Sequence, residues 1–251
     1  SLAAQTRVPD EIVVVDDAST DNTVSLVEEW AAGAGSAIDV RLERNETRLG
    51  YSQNFSRALS LARGDFVFPS DQDDRWDSGK IERMLEKLET SSGIDILICD
   101  ARIADADLKP AGRTKLEKIR RAGMPEEEFF MGCCMAIRSS FLERVLPIPK
   151  GFPEHDLWLA VIARALGRIE ILEVPLQDYR LHDHNQSRHP ANLLKKLGKL
   201  RYLKQRVRQS VTASLQTSLK QRAANAQRLL DWAYAEQGRV AGAKERTALD
   251  R

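Results

Sequence analysis

The chain has 251 residues, of which 42% are hydrophobic and 30% are charged, and its formal net charge at pH 7 is +1. This length and apolar content are sufficient for a globular domain with a substantial core. The three cysteines form no disulfide framework, which is typical of a reducing cytoplasm, and their spacing does not suit a zinc site. No apolar run approaches the roughly 20 residues that span a bilayer, and no signal peptide pattern is recognisable.

Strand and helix patterns alternate along the chain, which predicts an α/β fold with a doubly wound, mostly parallel sheet flanked by helices. Strands are predicted over residues 11–16, 39–44, 65–69, 94–100, 134–137 and 169–174. Helices are predicted over residues 23–32, 52–62, 80–90 and 156–166. Residues 105–128 are charged and weakly patterned, and they are predicted to form a long loop.

Two acidic residues stand at the end of the first predicted strand. The apolar run Ile12–Val15 ends in Asp16 and Asp17, and the polar residues 19–21 are suited to cap a helix that begins near Thr23. A cap needs only one side chain. Asp16 and Asp17 therefore remain available for a ligand, such as a pyrimidine imide or a ribose hydroxyl.

Three more carboxylates, Asp71, Asp73 and Asp74, follow the apolar run Phe66–Ser70. Carboxylates this close repel one another, and a divalent cation relieves the repulsion. Oxygen ligands favour Mg²⁺ or Mn²⁺, and Mg²⁺ is usually shared with substrate phosphates. The cluster therefore predicts a metal-bound nucleoside diphosphate. A solvated acidic turn is the alternative that these residues alone leave open.

Seven segments, taken together, resemble the family 2 inverting glycosyltransferases, which have the GT-A fold. They are Val14–Thr23, Asn45–Gly50, Ala62–Asp65, Asp71–Trp76, Gly132–Ala136, His155–Trp158 and Tyr179–Asn185. Their order and spacing match over roughly residues 1 to 187. The Asp-Gln-Asp-Asp-x-Trp, His-Asp-x-Trp and Tyr-Arg-x-His forms look most like the bacterial rhamnosyltransferase-type branch.

The resemblance implies a role for each residue of the two acidic clusters. Asp17, or Asp16 in its place, contacts the base or ribose of a nucleotide sugar, and Asp71 contacts the ribose or a metal. Asp73 coordinates the Mg²⁺ or Mn²⁺ that bridges the two phosphates, and Asp74 is a further candidate ligand.

The resemblance also assigns the general base of an inverting displacement to Asp156, which accepts a proton from the attacking hydroxyl. His182 approaches the metal or the diphosphate, and the motif residues His155, Trp158 and Arg180 complete the candidate site. Asp156 also stands at the start of an apolar helix and is suited to cap it. His155 occupies a position where many relatives carry a second acid.

These expectations describe an inverting glycosyltransferase that transfers a sugar to a hydroxyl of a glycan or lipid-linked acceptor in cell-surface polysaccharide synthesis. The branch resemblance favours dTDP-L-rhamnose as the donor. UDP-sugars remain open, because one Asp does not distinguish uracil from thymine. The alternatives are an inactive nucleotide-sugar-binding fragment and a metal-dependent nucleotidyltransferase, although the sequence has no Gly-rich triphosphate loop.

The two ends of the chain depart from a plain catalytic domain. Residues 1–189 are the predicted transferase domain, and residues 1–6 resemble the end of the family's first helix, so the family's first strand is expected to be absent. Residues 190–251 carry 14 Lys and Arg against 4 Asp and Glu. Apolar residues at helical spacing over 193–219 predict a basic amphipathic helix, whose pattern weakens from about Asn225.

Attachment of residues 190–220 to an anionic membrane surface would suit a lipid-linked acceptor and a peripheral position on the inner face of the cell membrane. Packing of this helix on its own catalytic domain, or on a partner protein, is the alternative. Nucleic acid is not an expected partner, because aromatic residues for base stacking are sparse and no recognition motif accompanies the charge.

Overall fold

A computed structural model describes residues 1–182 and 224–236. The chain divides into two compact units, Ser1–Asn185 and Gln186–Arg251. The domain boundary predicted after residue 189 and the amphipathic helix predicted over residues 193–219 lie outside the described residues.

The larger unit begins with a two-stranded parallel sheet. β1 (Glu11–Asp16) and β2 (Asp39–Arg44) are paired in register along their whole length. α1 (Thr23–Ala32) connects the two strands, and α2 (Tyr51–Leu61) follows β2. The predicted bounds of β1, α1 and β2 are confirmed, and α2 begins one residue earlier than predicted.

A second sheet of six strands forms the centre of this unit. Its strands are β3 (Phe66–Val67), β4 (Arg75–Trp76), β5 (Ile96–Ala104), β6 (Pro110–Thr114), β7 (Met135–Arg138) and β8 (Ile169–Arg180). Their order is β3-β7-β5-β8-β4, and β6 pairs with β5. The flanking helices are α3 (Lys80–Glu89), α4 (Lys115–Arg121), α5 (Ser139–Val145) and α6 (His155–Ala165).

The prediction of a mostly parallel sheet is wrong. Among the described strands of the second sheet, β5 and β8 are the one parallel pair, and the pairs β3–β7, β4–β8, β5–β6 and β5–β7 are antiparallel. An apolar run that is buried on both faces reads the same in either direction, so hydrophobicity did not reveal strand direction. The fold is α/β with a mixed sheet flanked by helices.

The core of the unit lies on β5 and β7. Eight of their side chains are completely buried: Ile96, Leu97, Ile98, Cys99, Ala101, Met135, Ala136 and Ile137. Trp76 of β4 packs with Ile81 and Leu85 of α3 in a neighbouring apolar cluster. β1 is different, because its apolar residues Ile12–Val15 are only partly buried.

The prediction of a long loop over residues 105–128 is also wrong, because this segment contains β6, α4 and a 3-10 turn at Glu126–Glu128. α4 begins with a capping box, in which Glu117 N–H donates to the Thr114 hydroxyl and the Glu117 carboxylate accepts the Thr114 N–H. The sequence carries this Thr-x-x-Glu signal. The helix it starts is too short to show a clear apolar period, which is why the pattern was weak.

β1 and β3 line a cavity of about 340 Å³ between the two sheets. Val13 of β1 and Phe66 of β3 are among the residues of its wall. α2 connects the first sheet to the loop after α5: Asn54 Nδ2 donates to the Val15 carbonyl at 2.9 Å, and the Ser56 hydroxyl accepts the Ile148 N–H at 3.0 Å. Among the described residues no strand pairing links β1 to the second sheet, so the β1–β2 sheet depends on α2 for its position.

Residues 224–236 of the second unit form a helix. Gln227 donates to Asp231 at 2.8 Å, and Arg228 donates to Asn225 at 3.1 Å. Pairs spaced by three or four residues stabilise a helix surface, so helical structure is present past Asn225, where the apolar pattern weakens. Within the described ranges, no helix combines the length and the apolar character that crossing a membrane requires.

Candidate active site

Asp16 shapes the turn that follows β1. The residue is 5% exposed; its Oδ2 accepts the Ser19 N–H at 3.1 Å and lies 3.4 Å from Nε of Arg44. Asp21, one of the predicted capping residues, accepts the N–H of Thr23 at the start of α1, at 3.0 Å. Asp16 is therefore held inside the turn, which leaves Asp17 as the stronger candidate of the pair for a ligand.

Asp17 anchors the start of α2. Its carboxylate accepts the N–H groups of Leu49 at 2.7 Å and Gly50 at 2.9 Å, and the side-chain amide of Asn45 at 2.8 Å. Burial raises the pKa of Asp17, but these hydrogen bonds more than offset the burial, and the pKa lies below its ordinary value. Asp17 is ionised at neutral pH, and a carboxylate with about four acceptor positions still has one for a ligand.

Asp71 lies at the first position of the acidic turn between β3 and β4. Burial raises its pKa to about 7, and the negative charges of Asp74 and Asp73 add to the rise. The carboxylate of Asp156 makes a smaller contribution in the same direction. The turn is therefore a place where negative charge is costly unless a cation is bound.

Asp73 contacts the end of β8. Nε2 of His182 lies 2.6 Å from Oδ2 of Asp73, and the guanidinium of Arg180 donates to the Asp73 carbonyl at 2.8 Å. A second nitrogen of Arg180 donates to the Ala106 carbonyl at 2.8 Å. Arg180 thus fixes the backbone of the acidic turn, and His182 positions the Asp73 carboxylate.

Asp74 is held by β8 through two hydrogen bonds. Oδ2 accepts the side-chain amide of Gln177 at 2.9 Å, and Oδ1 accepts the N–H of Arg180 at 3.0 Å. Burial raises the pKa of Asp74 above its ordinary value, and the hydrogen bond from the Arg180 N–H partly opposes the rise. The two bonds fix the orientation of Asp74 before any ligand arrives.

The buried side chain of Lys80 is linked to the acidic turn. Lys80, the first residue of α3, has no exposure and donates to the Cys133 carbonyl at 2.6 Å and to Oε1 of Gln177 at 2.5 Å. Its ammonium also lies 3.7 Å from the centre of the Trp76 ring. Because Gln177 in turn donates to Asp74, Lys80 is linked to the acidic turn through one side chain. In the sequence, only its place at a predicted helix start distinguishes this residue.

Asp156 lies in the first turn of α6. Its Oδ2 accepts the Gly132 N–H at 3.3 Å, and its Oδ1 accepts the N–H of Leu157 at 2.9 Å. The N-cap of the helix is Glu154, whose side chain makes no capping bond. Asp156 therefore satisfies one free N–H of the helix start, and the helix dipole favours its negative charge. The cap role predicted for Asp156 is therefore wrong, because Asp156 is the second residue of the helix and Glu154 occupies the N-cap position.

His155 is enclosed by apolar groups. It is 1% exposed, stacks on Phe55 with ring centres 4.0 Å apart, and meets the edge of Tyr51 at 4.9 Å. Burial lowers the pKa of His155 to about 3, so the imidazole is neutral. A Cβ at Gly132 would lie 2.4 Å from Nε2 of His155, so only glycine fits at position 132.

Trp158 is a core residue rather than part of a ligand surface. It has no exposure, and its indole N–H donates to the Val145 carbonyl at 2.9 Å. Its ring packs edge-on against Phe152 at 5.1 Å. The Trp of the His-Asp-x-Trp motif thus fixes α6, which carries Asp156.

The acidic turn fits a divalent metal ion. Asp71, Asp74 and Cys133 each offer a ligand atom, and these atoms lie within 4.8 Å of one another. A hydrogen bond with Cys134 lowers the pKa of the Cys133 thiol, but burial and the two neighbouring carboxylates raise it to about 12. The thiol is therefore neutral, and the carboxylates of the turn are the groups suited to a hard cation such as Mg²⁺ or Mn²⁺. This grouping differs from the predicted ligands Asp71, Asp73 and His182, because Asp74 joins Asp71 while Asp73 faces His182.

The family described as glycosyl transferase family 2 matches residues 1–146, and the chain belongs to this family. Among curated proteins, it is 26% identical over 204 residues to the amylovoran biosynthesis glycosyltransferase AmsB of Erwinia amylovora, with 74% of this chain and 64% of that protein covered. The chain spans about 60% of the length of the relatives it matches.

Solved structures share the fold. Crystal structures of S. aureus TarS 1–349 with UDP-GlcNAc match with a TM-score of 0.60 and 19% identity, covering 78% of this chain and 58% of that one. The mannosyltransferase PcManGT from Pyrobaculum calidifontis, in complex with GDP-Man and Mn²⁺, matches with a TM-score of 0.56 and 20% identity, covering 82% and 57%. At these identities the likeness concerns the fold.

Proposed function

We propose that this protein is an inverting glycosyltransferase that transfers a sugar from a nucleoside diphosphate to a hydroxyl of a glycan or lipid-linked acceptor in bacterial polysaccharide synthesis. The observation that carries the proposal is the short link between Asp156 and the acidic turn: Asp156 accepts the Gly132 N–H at 3.3 Å, and the thiol of the next residue, Cys133, lies within 4.8 Å of the carboxylates of Asp71 and Asp74. A transferase of this kind needs a diphosphate site and a base within one sugar's width of each other. Family membership and the relative named for amylovoran biosynthesis support the same reading.

The acidic turn is the proposed site of the diphosphate and its metal. Asp71 and Asp74 would hold the ion, with Asp73 as a further ligand on the side of His182, and the ion when bound stabilises the negative charge that develops on the departing diphosphate. His182 holds the Asp73 carboxylate, and Gln177 holds that of Asp74. The turn therefore needs little rearrangement when the ligand binds.

Asp17 is the proposed nucleotide contact. It is ionised, and the Leu49 and Gly50 N–H groups fix its orientation. An ionised carboxylate accepts a hydrogen bond from a base imide or a ribose hydroxyl, and it suits either uracil or thymine. The forms of the three motifs make dTDP-L-rhamnose the first donor to test, followed by UDP-sugars.

Asp156 is the proposed general base. The Gly132 N–H fixes one of its oxygens, and the neutral His155 beside it adds no positive charge that would weaken it as a base. It accepts the proton of the acceptor hydroxyl as that oxygen bonds to the anomeric carbon and the nucleoside diphosphate leaves from the opposite side. A single base is sufficient for one inverting displacement.

Calorimetric titration with dTDP, UDP and GDP, each with and without Mn²⁺, tests the proposal. We expect Mn²⁺-dependent binding of one pyrimidine diphosphate, followed by transfer from the corresponding nucleotide sugar to a glycan acceptor. Folded protein that binds none of the three would contradict the proposal, and binding without any sugar transfer would favour the inactive nucleotide-sugar-binding alternative. Release of pyrophosphate from a nucleoside triphosphate would favour a nucleotidyltransferase instead.

A further inference from the structure

Tyr51 is a half-exposed aromatic residue between the segment bonded to Asp17 and the start of α6. It is the first residue of α2 and follows Gly50, whose φ is 82°. Its exposure is 39%, whereas the neighbouring His155 ring is buried. Phe55, one helical turn further along α2, makes the close stacking contact with His155, so Tyr51 is not needed to fill that space.

Tyr51 connects the proposed nucleotide contact with the proposed base. The Gly50 N–H donates to Asp17 at 2.9 Å, and Tyr51 is the next residue in the chain. Its ring meets the edge of His155 at 4.9 Å, and Asp156 follows His155. The backbone of Tyr51 is thus fixed from the Asp17 side, and its ring is fixed from the Asp156 side.

The phenol of Tyr51 is neutral, and its hydroxyl is available to donate a hydrogen bond to a ligand. The partial enclosure of the side chain and the carboxylates of Asp156 and Asp71 raise the pKa of the phenol above its ordinary value, so the hydroxyl keeps its proton. Within residues 1–182, no hydrogen-bond partner is found for this hydroxyl. A neutral phenol can donate to an uncharged oxygen of a ligand.

We propose that Tyr51 contacts the transferred sugar itself and determines which donor sugar is accepted. The inference rests on the proposed function, in which the anomeric carbon lies between the diphosphate at Asp71 and the acceptor hydroxyl at Asp156. Tyr51 follows Gly50, which donates to Asp17, and its ring meets His155, the neighbour of Asp156, so the side chain lies beside that carbon. It donates to a sugar oxygen, while the ring packs on the apolar face of the sugar.

Contact with the transferred sugar and a purely structural role for Tyr51 predict different effects on ligand binding. A residue that contacts only the sugar affects binding of the nucleotide sugar and leaves binding of the bare nucleoside diphosphate unchanged. A residue that merely supports α2 would disturb Asp17 through Gly50, and binding of both ligands would weaken together. The ratio of the two dissociation constants therefore separates the two roles.

The test uses Tyr51→Phe and Tyr51→Ala in the full chain, with Mn²⁺ and the matched pairs dTDP and dTDP-L-rhamnose, UDP and UDP-GlcNAc, and GDP and GDP-Man. For the pair that binds, we expect Tyr51→Phe to weaken nucleotide-sugar binding about fivefold, the worth of one hydrogen bond, and Tyr51→Ala to weaken it at least tenfold. Binding of the diphosphate should change less than twofold. Tyr234→Phe is the matched control, because Tyr234 is 69% exposed and belongs to the second unit.

Three other results have distinct meanings. Unchanged nucleotide-sugar affinity in both Tyr51 variants, with diphosphate binding intact, would overturn the inference and leave the proposed function standing. Equal weakening of both ligands would overturn it in favour of a supporting role for Tyr51. Failure of the unmodified chain to bind any of the three diphosphates would overturn the proposed function, and the inference with it.

Discussion

Nε2 of His182 lies 2.6 Å from Oδ2 of Asp73, so the residue that follows β8 closes onto the acidic turn before β4. The two residues are more than 100 positions apart in the chain, yet β4 and β8 are neighbours in the sheet. Pairing of Arg75 with Asp178 sets the register of this contact. Strand pairing therefore decides which histidine meets the turn.

Replacement of Asp73 tests this turn. Asp73→Asn keeps a side chain that can bond His182 but removes one negative charge, so we expect Mn²⁺-dependent nucleotide binding to weaken and sugar transfer to fall about 100-fold or more. The melting temperature should stay close to that of the unmodified chain. Asp107→Asn is the matched control, because Asp107 is exposed and pairs only loosely with Lys109, at 3.9 Å. Full transfer activity in Asp73→Asn would remove Asp73 from the metal site.

Replacement of Asp156 separates chemistry from binding. Asp156→Asn retains an oxygen for the Gly132 N–H but cannot accept a proton, so turnover should fall about 10²- to 10⁴-fold. Binding of the nucleoside diphosphate should change less than twofold. Glu154→Gln, two residues earlier, is the control and should retain most of the turnover. If Asp156→Asn turned over at the normal rate, another residue would have to be the base.

Replacement of Asp71 should stabilise the metal-free protein. The pKa of Asp71 is about 7 in the folded chain and 3.8 in its ordinary state, so the folded state binds this proton more tightly. Its contribution to the free energy of unfolding is fully present below pH 3.8 and is lost as the pH rises through 7. Asp71→Asn should therefore be more stable than the unmodified chain at pH 8, by about 1 to 3 kcal/mol.

Urea unfolding at pH 5 and pH 8, in the presence of EDTA, measures this difference. The gain should be smaller at pH 5 than at pH 8, because the Asp71 proton is still bound at the lower pH. Mn²⁺ should raise the stability of the unmodified chain more than that of the variant. A variant less stable than the unmodified chain at pH 8 would mean that the Asp71 carboxylate is already compensated by the protein.

Replacement of Lys80 should lower the free energy of unfolding, because Lys80 supports the acidic turn. Lys80→Met has a similar length but leaves the Cys133 carbonyl and Oε1 of Gln177 without their buried donor, at a cost of about 3 kcal/mol. Lys87→Met on the same helix is the control, because the Lys87 ion pair with Glu170 is at the surface and should be worth about 0.5 kcal/mol. Equal effects of the two substitutions in urea unfolding would show that Lys80 has no special role.

The sequence was most informative where a strand ends in carboxylates. Asp71 and Asp73 belong to one short segment, so their proximity did not depend on the fold. Strand bounds were predicted well for β1, a short apolar run that ends in Asp16, and for β2, in which apolar and charged residues alternate. Strand direction was not predicted correctly, because side chains alternate between the two faces and are buried in the same way in parallel and antiparallel pairs such as those of β5 and β7.

Residues that act through distant neighbours were missed for a different reason. Lys80 and Gln177 meet only because α3 and β8 approach each other, and neither residue carries a local signal. Tyr51 is an ordinary aromatic residue of an amphipathic helix until its exposure is known. Trp158 was grouped with the site because it belongs to the His-Asp-x-Trp motif, but its period along α6 places it in the core.

The dependence of the β1–β2 sheet on α2 has a thermodynamic consequence. This sheet carries Asp17 and Asn45 at its exit, but its apolar residues are incompletely buried and its edge lies along a cavity. Such a segment opens locally at a lower free energy than β5 and β7 do. If the open form is appreciably populated, the observed donor affinity equals the intrinsic affinity reduced by the closed fraction. Substitutions that fill the cavity would then tighten donor binding without touching the donor.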